Sequence, residues 1–127
     1  MDNPSPQVVK QRIRNRIIDW CEWCVDFETC DYQDFAELIN FWNDWWDSDD
    51  IDYYGPPVFT LQESQALAAV EVEHDRLCEA TKILDPLDFP RIYALKEWTS
   101  CKRAAQVALT LLMSRGRLSE EEDMADH

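Results

Sequence analysis

The chain has 127 residues, a net charge of -14 and a pI near 4.3, with 46% hydrophobic and 12% aromatic residues. That length suits one domain with its own core, and the apolar content excludes a wholly disordered acidic polypeptide, so the charge is expected on the surface of a folded body. The acidity also argues against direct binding to DNA or RNA, where phosphates would meet like charge instead of the cations that counterion release requires.

With two glycines in the chain and a hydrophobic period that is helical almost throughout, the expected fold is all-α. It is an antiparallel bundle of about four helices in one domain over residues 1–116. Ser5 as N-cap with Pro6 at the first helical position opens the first helix, whose apolar stripe is Val9, Ile13, Ile17, Trp20, Cys24 and Phe27. Asp31 is the expected cap of the second helix, where Phe35, Leu38, Ile39, Trp42 and Trp45 or Trp46 repeat on one side until the acidic run Asp47 to Asp52. Residues 48–59 read as an exposed loop or a short turn, because Gly55, Pro56 and Pro57 prevent helix continuation. Thr60 and Glu63 form a capping box for the third helix, with Leu67, Val70, His74, Leu77, Thr81 and Leu84 inward. A fourth helix is expected from about Pro90 to Arg115, closed by Gly116, and residues 117–127 are expected to be a frayed, disordered acidic tail.

Pro4, Ser5, Pro6 and Gln7 lead into Lys10, Arg12, Arg14 and Arg16 instead of a signal peptide's apolar run, and the longest apolar stretch, Ala104 to Met113, is too short to span a membrane. Five cysteines without a short-loop disulfide framework favour a reducing compartment, so a soluble, cytoplasmic protein is expected, with no membrane association.

Between Ile17 and Asp75 the chain has no Lys or Arg but carries 16 Asp and Glu and five of its six tryptophans. The first helix has its basic residues in the N-terminal half and Glu22, Asp26 and Glu28 toward the C-terminus, the reverse of what the helix dipole prefers by roughly 0.3 to 1 kcal/mol per terminal residue. Asp44 and Asp47 repeat this at the end of the second helix. One explanation is a contact surface; the other is neutralisation inside the fold by Arg91, Lys96, Lys102 and Arg103 of the fourth helix. On the second helix, Asp34, Glu37, Phe41 and Asp44 recur at steps of 3, 4 and 3, placing an aromatic ring among three carboxylates. Asp49, Asp50 and Asp52 then run into Tyr53 and Tyr54. Aromatic anchors in a charged rim are what tight interfaces use, although either tyrosine could instead plug the end of the bundle.

The run Asp50, Ile51, Asp52, Tyr53, Tyr54, Gly55, Pro56 resembles the recognition segment of the colicin-nuclease immunity proteins. The resemblance implies a binding mode in which an acidic stretch with paired tyrosines engages a basic nuclease domain. The expected function is therefore an acidic helical binding protein that occludes a basic surface, as an inhibitor, an immunity-like protein or a nucleic-acid mimic directed at a nuclease or other nucleic-acid-binding effector. The alternative is a helical adaptor or structural subunit, pairing through its tryptophans or the Ala104 to Met113 stripe.

The CxxC of Cys21 and Cys24 lies within a helix, away from the strand context of a thioredoxin site. Together with His74 and Cys78, spaced i and i+4, it offers a three-Cys, one-His zinc set, but Cys24 and His74 fall on apolar stripes where burial is ordinary, and no metal or cofactor is expected. Glu71 and His74 make a Glu-x-x-His with no second copy, and there is neither a phosphate loop nor a Gly-x-Ser-x-Gly, so an enzyme is not expected.

Overall fold

Local side-chain caps mark where four of the five helices start among the described residues. The computed structural model describes residues 4–47 and 53–123. Helix α1 (Pro6–Asp26) begins where the Ser5 side chain accepts a hydrogen bond from the Val8 N–H, with Pro6 in its first turn. Helix α2 (Phe35–Trp45) is capped by Asp34, whose carboxylate accepts from the Glu37 N–H. Asp31 was the expected cap; it is displaced because residues 27–30 continue α1 as a turn, with the Thr29 and Cys30 amides donating back to the Asp26 carbonyl. Helix α3 (Leu61–Thr81) has the complete Thr60–Glu63 capping box.

The expected fourth helix is two helices, α4 (Phe89–Tyr93) and α5 (Lys96–Arg115), separated by Leu95 in an extended conformation. Neither proline nor glycine stands at that break, so sequence punctuation could not reveal it. Gly116 closes α5 with φ 79°, a left-handed conformation that favours glycine. Five helices and no strand are found among the described residues, and no helix is long and apolar enough to cross a membrane.

Helix α5 packs against both α3 and α1, and α2 packs on α1. Four tryptophans, Trp20, Trp42, Trp46 and Trp98, are buried. Burying an indole is favourable when its N–H finds an acceptor. Trp20 donates to the Leu38 carbonyl, Trp42 to the Glu71 carboxylate and Trp98 to Glu28. The second half of the expected loop is also interior: Val58 and Phe59 are buried, and Tyr54 stacks on Trp46 with centroids 4.2 Å apart.

A buried ion cluster ties four parts of the chain together. Arg14 is fully buried, and its guanidinium donates to both oxygens of Glu63 at 2.7 and 3.0 Å. Its remaining N–H groups reach the carbonyls of Val58, Leu112 and Gly116. All five donors of the fork therefore have acceptors, the condition under which a buried guanidinium is tolerated. Arg115 adds a second guanidinium to Glu63 at 2.6 Å. Burial alone would push the Glu63 pKa up, but the bonds from Arg14 and Arg115 prevail and hold it below the usual carboxylate range.

Residues 117–123 differ from the expected frayed tail. They lie along the basic half of α1, with Leu118 buried and Arg117 paired to Asp19 and Glu22. Glu120 accepts from Arg16 at 2.6 Å, and Arg12 donates to the Glu120 carbonyl. Much of the inverted charge pattern of α1 is thus met by tertiary contacts. Residues 124–127 lie outside the described residues.

Candidate functional site

Trp23 leaves the apolar stripe of α1 one position before Cys24, and Phe41 leaves that of α2 one position before Trp42. Because the two helices are packed together, the displaced rings meet at the surface. Trp23 and Phe41 make an edge contact at 6.2 Å, Phe41 continues to Trp45 at 6.5 Å, and Trp23 stacks on Tyr32 at 5.7 Å with the rings 14° from parallel. The Trp23 indole donates to the Tyr32 carbonyl, fixing the stack. Tyr32 is 57% exposed, and the other three rings are half-buried. The result is a continuous aromatic strip, Tyr32–Trp23–Phe41–Trp45, across the outer surface of α1 and α2.

Carboxylates border this strip. The Tyr32 hydroxyl donates to Glu37 at 2.7 Å, with Asp34 at 3.4 Å. The bond to Glu37 is the main reason that the tyrosine pKa is pushed up to about 12. Of the residues expected from sequence, Asp34, Glu37, Phe41 and Asp44 share this face, with Phe41 resting between Trp23 and Trp45 instead of standing alone in water.

Fold-internal neutralisation explains part of the cation-free stretch and leaves this part. Asp19 meets Arg16 and Arg117, Glu22 meets Arg117, Glu28 meets Lys102, Glu63 meets Arg14 and Arg115, and Glu73 meets Arg76. Lys102 thus acts as the fourth-helix explanation expects, whereas Arg91 pairs with its neighbour Asp88. Asp26, Asp31, Asp34, Glu37 and Asp44 have no ion-pair partner among the described residues.

Tyr54 is a correction to the expected surface. Only 4% exposed, it accepts from the Asp47 N–H at 2.7 Å and donates to the Trp45 carbonyl at 3.0 Å, sealing the end of α2. An aromatic ring gains more from Trp46 and Phe59 than from water, so the paired-tyrosine motif cannot present both rings outward. Tyr53 is half-buried with the Lys10 ammonium over its ring at 4.6 Å. Asp49, Asp50 and Asp52 lie outside the described residues.

Trp23, Tyr32 and Trp45 complete the strip and were not singled out as surface residues by sequence. For Trp23 the available signal was the one that marked Phe41, a large aromatic ring off its helix's apolar line; Trp45 could be read onto the α2 line, and Tyr32, between the helices, gives no such signal.

The residues considered for zinc do not assemble into one site. Cys24 is buried in the core with Cys21 and Cys101, while His74 holds the Ile39 carbonyl through Nε2 at 3.2 Å and lies 3.7 Å from the Cys78 sulfur through Nδ1. Among the described residues, no group of three or more His, Cys, Asp or Glu is arranged to hold a metal ion, and all five cysteines are free thiols. Burial is the leading cause that raises the Cys21 thiol pKa, and it acts with the Cys101 contact on Cys24, so both remain protonated and unreactive at neutral pH. Glu71 accepts the Trp42 indole N–H at 2.6 Å, which makes the Glu-x-x-His pair part of the core.

No family model, curated protein or solved structure matches the chain. The immunity-protein resemblance therefore gains no support from that side, and the aromatic strip must be interpreted from its own chemistry.

Proposed function

We propose that this chain is a binding protein that occludes a basic surface on a partner protein, using the acidic aromatic face of α1 and α2. The observation that carries the proposal is the coincidence, on one face, of four partly exposed aromatic rings with three carboxylates, Asp34, Glu37 and Asp44, that have no ion pair among the described residues. Rings supply binding energy by burial, whereas unneutralised carboxylates steer a cationic partner and favour it over acidic competitors. A nuclease or other nucleic-acid-binding effector is the partner class that fits, since its cationic groove is built for closely spaced anions. Cationic side chains also stack favourably on Trp and Tyr faces.

The adaptor reading has less support. Trp20, Trp42, Trp46 and Trp98, with Ala105, Ala108 and Leu112 of the α5 stripe, are occupied in the chain's own core.

Affinity capture from the native host's lysate, at low and high salt, tests the proposal. The expected result is a basic protein, retained at low salt and released at high salt, that is lost with the Glu37→Gln/Asp44→Asn double variant. Retention that ignores both salt and these substitutions would overturn it.

A further inference from the structure

The contacts that hold residues 117–123 are those of a peptide in a receptor groove. Gln11 and Asn15 on α1 are polar yet 0% and 2% exposed. Both address main-chain atoms of the bound segment. Asn15 donates to the Leu118 carbonyl at 2.8 Å and accepts from the Leu118 N–H at 3.0 Å, a two-point clamp on one residue's backbone. Gln11 donates to the carbonyls of Ser119 and Glu122 at 2.8 and 2.7 Å. Side-chain selection then has two elements: a buried site for Leu118, and Arg16 with Asn15 around the Glu120 carboxylate at 2.6 and 3.0 Å. These bonds hold the Glu120 pKa below the usual carboxylate range, led by the one from Asn15. Arg117 sets the direction of the segment by reaching back to Asp19 and Glu22.

We propose that this face of α1 is a binding groove for an extended acidic peptide with a leucine followed two residues later by a glutamate, and that the chain's own residues 117–123 occupy it as a tethered competitor. A single buried apolar side chain and a set of polar contacts anchor the segment, which has no helix or strand of its own. A segment held this way should open locally more readily than the packed helices. It leaves α5 through Gly116, where a Cβ would meet nothing within 4 Å. A short tether presents its segment at an effective concentration in the millimolar range, so a free peptide gains access only when the strap is weakened or the peptide binds better. This inference stands independently of the proposed function.

The test uses the full chain carrying Arg117→Glu and Leu118→Asp, which repel the strap from Asp19 and Glu22 and remove its anchor. The probe is a fluorescent peptide of sequence RLSEEED with blocked ends, read by anisotropy at low ionic strength. The loosened variant should bind it at least about tenfold more tightly than the wild-type chain, and Asn15→Ala added to that variant should weaken binding by about tenfold. Binding no stronger than that of a scrambled peptide, in a variant with unchanged helical circular dichroism, would overturn the proposal, as would equal binding by the wild-type chain. Should the variant not fold, hydrogen exchange on the wild-type chain decides: the Leu118 amide must exchange at least about tenfold faster than the slowest amides of α1, and equal protection contradicts a releasable strap.

Discussion

At the scale of single residues, the most consequential is Glu63, because one carboxylate compensates two guanidinium groups, of which Arg14 is fully buried. Glu63→Ala strands Arg14 without a counter-charge and is expected to cost about 3 to 5 kcal/mol in denaturant unfolding, whereas Arg14→Met combined with Glu63→Leu should recover much of that loss. Tyr54→Phe should lower stability by about 1 kcal/mol, since two partly buried hydrogen bonds end on its hydroxyl, and should leave partner binding unchanged.

His74 supplies a pH dependence with a definite sign. Packed against Trp20 and Trp42, it has a pKa lowered from the ordinary 6.5, chiefly by burial. The unfolded chain therefore takes up this proton before the folded chain does, so the stability tied to neutral His74 is complete above pH 6.5 and declines as pH falls toward the folded-state value. Glu71 on the same helix acts oppositely, since burial raises its pKa and the folded chain holds that proton longer. Comparison of variants isolates the histidine. In urea titrations between about pH 7 and about pH 5, His74→Gln should show a shallower loss of stability than the wild-type chain.

At the scale of elements, the N-caps of α1 and α3 were the most legible features, because each is a short-range hydrogen bond between residues three apart, whereas the α2 cap is Asp34 and not the expected Asp31. Thr60→Ala should cost about 0.5 to 2 kcal/mol in thermal or urea unfolding, since it removes the acceptor for the Glu63 N–H at the start of α3. The capping box and Ser5 with Pro6 were readable in the sequence for this reason, and Gly116 because a positive φ favours glycine. The break at Leu95 was not, because it is fixed by packing and no residue there forbids a helix. The charge order of α1 was legible as an anomaly, but its resolution was not: Arg14 meets Glu63 from 49 positions away, and Arg16 meets Glu120 from 104. Long-range pairing has no signature in local spacing.

For the whole molecule, the helical period foretold an all-α fold, and the core stripes of α1, α2 and α3 largely follow it, with Ile17, Trp20, Leu38, Trp42, Leu67 and Leu77 buried. The candidate site was legible in half. Asp34, Glu37, Phe41 and Asp44 could be grouped because they share one helix, whereas Trp23 and Tyr32 join them only through the packing of α1 on α2. Tyr54 was misplaced because an aromatic beside carboxylates looks alike in sequence whether it seals a core or faces a partner.

On the proposed function, partner binding resides on the aromatic strip and its carboxylates. The most direct test is the affinity of the captured partner for Trp23→Ala, Phe41→Ala, Glu37→Gln and Tyr54→Phe, measured across a salt series. The account predicts losses of about tenfold or more for the two strip aromatics, a weakened salt dependence for Glu37→Gln, and no change for Tyr54→Phe. Full affinity in both aromatic variants, with a salt slope unaltered by Glu37→Gln, would contradict it.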